Sequence, residues 1–368
     1  MAARFLVSNL IQATGTVLGS SSIQASLPTA FLRDQLRSKV ARTQIGWDVV
    51  TGAFDRVDVT VGGTDYHATI AAGTYATGAA YAAAVQSALT AAIANAWSVT
   101  YSPSTFLFTV SGTSAFILKF GTGTNVVHSA GPDLGFAAAD TASGTSVSGA
   151  TAVYQSRKWF TADLGSSQAV TAAMVINHNA GSGGTFSVRG SNTSVLDALT
   201  NASPLLAQSL TGDATIRGAF FASASPRYLA LLVDDRANTA GYSEVGIWYA
   251  GPYSEPGVNY SIGVTTEYDD LSSVQVAISG PQFAAKRQDR PTSELSWTEV
   301  VDADMSILID TVRALTPKGA DFFLAWNPST ITDTKYGWRH ANMKRTLEGP
   351  GPTGSYWTVA LPFAEALG

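Results

Sequence analysis

The side chains able to carry catalysis or hold a metal are sparse in this 368-residue chain, and their spacings do not form working sites. Its four histidines, His67, His128, His178 and His340, include no pair three or four positions apart, the spacing that sets two imidazoles on one helix face. A serine nucleophile elbow needs Gly-x-Ser-x-Gly, and the run GTSVSG from Gly144 to Gly149 has its second glycine one place late. GTGTNV, starting at Gly121, lacks the third glycine of a dinucleotide loop and the lysine of a phosphate loop. Glycoside hydrolysis needs two carboxylates facing one bond. Asp234-Asp235, and Asp269-Asp270 with Glu267, are the candidates. Adjacent residues on an extended segment point to opposite sides, so each doublet reads as a polar turn closing a strand. We expect no catalytic residue, no metal and no cofactor.

Binding chemistry has better placed residues. His178-Asn179 precedes the Gly-rich AGSGG, and Asp234, Asp235 and Arg236 begin a polar stretch that runs to Tyr242. These types could hydrogen-bond a small polar ligand, while a local reading has each satisfied by neighbouring backbone. Arg339, His340, Lys344 and Arg345, interleaved with Trp338 and Asn342, have the composition of a single-strand nucleic-acid surface. So does RDQLRSKVAR from Arg33 to Arg42. The chain as a whole carries −5, giving no general attraction to a phosphate backbone or anionic membrane. We therefore read both segments as solvated or subunit-contacting, with no nucleic-acid partner.

The elements that must position these residues follow from composition and periodicity. Charged residues make up 13% of the chain, against about 25% in an average protein, and 45% are hydrophobic, which excludes a disordered chain. Cysteine is absent, removing disulfides, thiolate nucleophiles and thiolate metal sites together. In MAARFLVSNLIQ, Ser8, Asn9 and Gln12 interrupt the apolar run a signal peptide needs, so it reads as mature sequence. Residues 79–97 carry no charge and are long enough to span a membrane, but Tyr81, Val85, Leu89, Ile93 and Trp97 recur at every fourth position. That stripe predicts a helix lying on a sheet, without membrane insertion. Residues 55–72 predict a hairpin turning at Gly62-Gly63, three strands follow the helix, and the small polar residues 121–150 read as a long surface loop. Between 151 and 250, short strands at regular spacing predict a β-sandwich with one weak helix, SVLDALTNA. Residues 251–260, with Pro252, Pro256 and Gly257, read as a linker. The last segment predicts a hairpin broken at Gly280-Pro281 and further strands. It also predicts a helix capped by Asp302, with Asp304 in its first turn, Met305, Leu308, Ile309, Val312 and Leu315 on one face, and a stop at Pro317 and Gly319.

Three features of residues 151–250 resemble the discoidin, or galactose-binding-like, jelly roll. They are WFTADLG with Trp159, Asp163, Leu164 and Gly165, the strand ending at His178-Asn179, and RYLALLV followed by EVGIWYAG. The family's opening, Asn-Leu and a Ser-rich strand, matches Asn9-Leu10 and TVLGSSS more than 100 residues upstream. The resemblance thus implies a discontinuous jelly roll of residues 1–47 and 151–250, interrupted by an inserted α+β module at 48–150. The charge balance changes at the same places. Residues 1–47 hold five basic and one acidic residue, and residues 48–150 hold two and six. The module, with IAAGTY, FILKFG and Asp133 to Phe136, resembles one recurring in structural proteins of tailed phages, and residues 251–368 are similar to β-sandwich domains of phage tail and baseplate proteins.

The fold class implied is mainly β: a jelly-roll sandwich, the inserted module, and a C-terminal β-sandwich domain with one packed helix. The combination implies a structural virion protein of the tail tip or baseplate. It would form a ring of three or six copies beside other tail proteins after assembly in the bacterial cytoplasm. A mean hydropathy of +0.12 fits a surface partly covered by identical neighbours. The alternative is a glycan-binding adhesion or receptor-recognition protein, with a host-surface glycan as partner and His178, Asn179, Asp234, Asp235, Arg236 and Tyr242 as its loop residues. A glycoside hydrolase comes last.

Overall fold

A computed structural model describes residues 2–33, 39–213, 215–260, 265–276, 282–285, 289–312, 321–339, 343–351 and 354–366. The fold is mainly β, as its composition and strand spacing predict. Nine antiparallel strands curl into a jelly-roll sandwich in the order Val17–Ser20, Lys158–Asp163, Tyr228–Asp234, Thr185–Ser191, Leu206–Gly212, Ile216–Ala224, Val170–His178, Glu244–Gly251 and Ala41–Arg42. Both end strands of this order come from the start of the chain. The chain therefore leaves the sandwich after Arg42 and re-enters it at Lys158. Phe160, Val175, Phe186, Leu231 and Trp248 fill the core between the layers. In Val170–His178, Ala173 and Val175 point into that core, while Ala172, Met174 and Ile176 pack against the C-terminal sheet. A strand covered on both faces has no polar side to present, which accounts for its nearly unbroken apolar sequence.

The intervening residues form a five-stranded sheet covered by the helix Gly78–Ala92. The Thr77 hydroxyl caps the helix by accepting from the Ala80 amide at 3.2 Å, and Tyr81, Val85 and Leu89 are buried against Val57, Val59 and Phe108. The helix ends one residue before Ile93, and Trp97 begins a strand. The fourfold spacing ran past the helix because these two residues face the same core from outside it. Residues 121–150 differ from the surface loop expected. Leu134 and Phe136 are buried, and Gly144–Ser148 pairs with Phe108–Leu118. Hydroxyl pairs across that ladder, Thr109 with Ser148 at 2.8 Å and Ser111 with Ser146 at 2.9 Å, give small polar residues a strand role that their composition concealed.

A seven-stranded sheet ends the chain, and its edge strand Arg4–Leu6 comes from the chain's first residues. Residues 1–47 are thus not all jelly roll. Phe5 enters the C-terminal core 5.8 Å from Trp297, and Leu6, on the opposite face, joins the cluster between sheet and sandwich. The predicted helix is short, Asp302–Met305, and widens into a π-type turn over Ser306–Thr311. Val301 is its N-cap. Asp302 instead accepts from the Trp357 indole at 2.9 Å, and Asp304 accepts from the Gly257 amide at 2.7 Å. Leu315, Pro317, Gly319 and the Gly280-Pro281 turn lie outside the described residues.

Buried charge joins the sandwich to the intervening segment. Lys158, where the chain re-enters, pairs with Asp48, where it has just left, and both side chains are at most 1% exposed. The Lys158 ammonium also donates to the Gln44 carbonyl at 3.1 Å, and the Asp48 amide donates to the Ser156 hydroxyl at 2.9 Å. Arg157 grips the Asp133 carboxylate, with Nη2 to Oδ2 at 2.9 Å, and lies 3.7 Å from the centre of the Phe54 ring. Burial pulls the Lys158 pKa down and the Asp48 charge opposes it. Removing one member of a buried pair strands the other, at a cost of about 3–5 kcal/mol, whereas replacing both by apolar residues is often nearly neutral. Asp48→Ala is therefore expected to lower the calorimetric melting temperature strongly. The double variant Asp48→Leu, Lys158→Met should recover most of the loss, and equal melting of the two would contradict the assignment.

Candidate functional site

The residues that carry the family resemblance are structural fasteners. Asn9 donates its amide to the Trp248 carbonyl at 3.0 Å and accepts from the Ile11 and Ala250 amides, tying the chain start to a central strand. Leu10 adds a backbone bond to Ala250 at 2.9 Å and packs on the sandwich core. Trp159 faces away from that core. It is buried edge-on against Phe54, beside Ala198 and Leu199 of the short helix Val195–Thr200. Asp163 receives a two-pronged bond from Arg227 at 2.9 and 3.0 Å, which holds its carboxyl below the usual carboxylate range. It also accepts from the Gly165 amide at 2.8 Å, fixing a turn whose φ of 78° favours glycine. Leu164 packs partly against the sandwich core.

His178, Asn179 and Asp234 to Tyr242 lie at the other end of the sandwich, because Asp163 pairs with Tyr228 in the antiparallel ladder that ends at Asp234. There the structure joins Asn179, Asp235 and Tyr242. The Asn179 amide donates to the Tyr242 carbonyl at 3.0 Å, and its oxygen accepts from the Glu244 amide at 2.8 Å. Asp235 is 5% exposed and accepts from the Gly181 amide at 2.9 Å and from Asn238 at 3.0 Å. Asn238 also reaches the Asn179 carbonyl at 3.0 Å. A β-carbon on Gly184 would come within 2.8 Å of the Asp235 carboxyl carbon, so the loop needs glycine there. Arg217 completes the fastening through the Gly184 carbonyl at 2.8 Å.

Asp234 and Arg236 are turned elsewhere. They pair with each other, and Arg236 also donates to the Pro132 carbonyl of the intervening segment, which covers this side of the loop end. The Tyr242 ring has the Arg42 guanidinium 4.4 Å from its centre, and Arg42 pairs with Glu244. Of the second doublet, Asp269 pairs with Arg290 of the neighbouring strand at 2.7 Å, and Asp270 accepts from the Ser272 amide at 2.8 Å. Asn238 and Arg217 complete the site without having been singled out in the sequence. The only signal for Asn238 was its place three residues after Asp235 in a polar turn, and Arg217 stands alone in an apolar strand.

Among the described residues, no group of three acidic or histidine side chains could hold a metal, and no helix is long and apolar enough to cross a membrane. Of the basic cluster, His340 and Asn342 lie outside the described residues, and Arg345 lies over the Trp357 ring at 5.4 Å. Of the Arg33 to Arg42 segment, residues 34–38 also lie outside.

No protein-family model matches this chain, and no curated protein does. Solved structures do show local likeness. Chitosan-binding module 2 from the chitosanase/glucanase of Paenibacillus sp. IK-5, in complex with chitotriose, is 20% identical over 26% of this chain and 78% of its own, with a TM-score of 0.20. The Clostridium perfringens protein CpGH89CBM32-5, in complex with GalNAc-beta-1,3-galactose, is 12% identical over 26% of this chain and 66% of its own, with a TM-score of 0.20. The lectin domain of lectinolysin, complexed with Lewis B antigen, is 18% identical over 27% of this chain and 67% of its own, with a TM-score of 0.20.

His178 is the titrating group of this end. Its ring packs 5.0 Å from that of Phe186, close to the Asp213 backbone. Burial, with the Arg217 charge adding to it, pushes its pKa below 6.5. Between that lowered pKa and 6.5 the unfolded chain binds a proton that the folded chain does not, so stability falls as pH drops through this window. NMR titration should find the His178 imidazole mostly neutral at pH 6.5, and His178→Phe should flatten the loss of stability on acidification below that pH.

Proposed function

We propose that this chain is a non-catalytic carbohydrate-recognition protein in which the jelly roll supplies the recognition surface. The observation that carries the reading is the loop end of the sandwich. Asn179, Asp235, Asn238 and Arg217 spend their hydrogen bonds fixing the loops to one another, leaving a rigid polar surface and no paired acid and base. Weak polar ligands such as sugars gain most from a surface ordered before they arrive, because less entropy is lost on binding.

A finer reading makes this surface part of a phage tail tip or baseplate, with the chain repeating as a ring of three or six copies among other tail proteins. The sequence resemblance supports it. So does the strand Thr265–Asp269, which ends the C-terminal sheet order and exposes four of its five residues, including Tyr268 at 69%. An open strand edge is a natural place for a second copy to pair.

Two measurements on the purified full chain test these readings separately. A glycan microarray should give saturable binding to a defined sugar class, and a blank array at high protein concentration would count against recognition. Light scattering should give a closed assembly of three or six copies, and a monomer at every accessible concentration would count against the ring.

A further inference from the structure

The jelly roll and the C-terminal sheet enclose a crevice of about 200 Å³ lined by residues from both. Ile176 and Ile216 of the sandwich and Tyr336 of the sheet form an apolar floor continuous with the packed cluster between the two bodies. Polar groups line the rest: Asp213 and Thr215 from the sandwich turn, Thr332 from the 3-10 turn Ile331–Asp333, and Thr334, Lys335 and Glu365 from the sheet. Thr334 is 4% exposed, and its hydroxyl has no hydrogen-bond partner among the described residues. Buried hydroxyls are ordinarily paired, so an unpaired one on a residue that lines the crevice points to a partner that reaches it from there. Lys335 stands 3.5 Å from Glu365, longer than the 2.7–2.9 Å of a tight charged hydrogen bond. Both groups can turn toward a third.

We propose that this crevice binds a single sugar ring, neutral or amino, and not an acidic one. Pockets for drug-sized ligands run to about 300–1,000 Å³, so this one admits one small ring. A sugar ring offers an apolar C–H face to Ile176, Ile216 and Tyr336, and hydroxyls at its rim to Thr334, Lys335 and Glu365. The sign of the site sets the class. Asp213 and Glu365 are opposed by Lys335 alone among the described charged lining residues, and Arg217, which keeps its charge while donating to the Gly184 carbonyl, stands outside that lining. The resulting negative balance repels a uronic or sialic acid and accommodates a protonated amino sugar. This assignment rests on the carbohydrate reading above and adds to it a second place, apart from the loop end, and a class.

The test is saturation-transfer NMR with calorimetry on the full chain, using glucose, glucosamine and glucuronate as probes. Glucose or glucosamine should bind, and glucuronate should bind at least about tenfold more weakly. Thr334→Val keeps the side chain's shape and removes a hydroxyl that bonds to none of the described residues, so the melting temperature should stay at the parent value. Affinity should fall by roughly fivefold to tenfold, the effect of one lost hydrogen bond. Glu365→Gln should weaken glucosamine more than glucose. Sugar binding unchanged in both variants would overturn the crevice while leaving carbohydrate recognition in place. A blank result with all three probes, together with a blank glycan microarray, would overturn both.

Discussion

The ion pair between Lys158 and Asp48 is the constraint on which the arrangement of this chain turns. An ammonium with no exposed surface needs a carboxylate beside it, and the one available belongs to the first strand after the chain leaves the jelly roll. Departure and return are thereby held at one point, so about 110 intervening residues can form their own sheet without separating the two halves of the sandwich. Arg157 on Asp133 and Arg236 on the Pro132 carbonyl extend this polar seam toward the loop end. Their guanidinium groups occupy the face that a ligand would otherwise reach from that side.

On the opposite face the seam is apolar. Leu6, Met174, Ile176, Tyr249, Phe323 and Tyr336 form one cluster shared by sandwich and C-terminal sheet. At its margin the Arg4 guanidinium lies 4.3 Å from the Tyr253 ring centre and 4.7 Å from that of Phe220, while pairing with Glu255 at 2.7 Å. The strand Arg4–Leu6 binds the first residues to the last sheet, so the chain closes on itself around the sandwich. Held from both sides, the jelly roll presents its loops in a fixed direction.

Much of this was legible in the residues. Alternating Val57, Val59 and Val61 around Gly62-Gly63 specify the hairpin Arg56–Val61 and Thr64–Thr69, and the spacing of Tyr81, Val85 and Leu89 specifies the helix that covers it. What was hidden follows from long-range partners. Nothing in RFL announces a strand whose neighbour is more than 300 residues away, and nothing in GTSVS marks a strand until Phe108–Leu118 lies beside it. The candidate loop residues were visible as polar types at strand ends. Their engagement was not, because Asn179 and Asp235 find their partners only when strands distant in sequence end at the same place. The crevice is a still harder case, since Ile176, Thr334 and Glu365 come together only after sandwich and sheet have docked.

Carbohydrate recognition by this rigidly mounted jelly roll is the central claim, and a crystal structure of the full chain grown with glucosamine tests it most directly. The account predicts density for one sugar ring on the chain, in the crevice within hydrogen-bonding reach of the Thr334 hydroxyl. A structure in which neither the crevice nor the loop end holds sugar, at a glucosamine concentration that saturates known sugar-binding proteins, would contradict it.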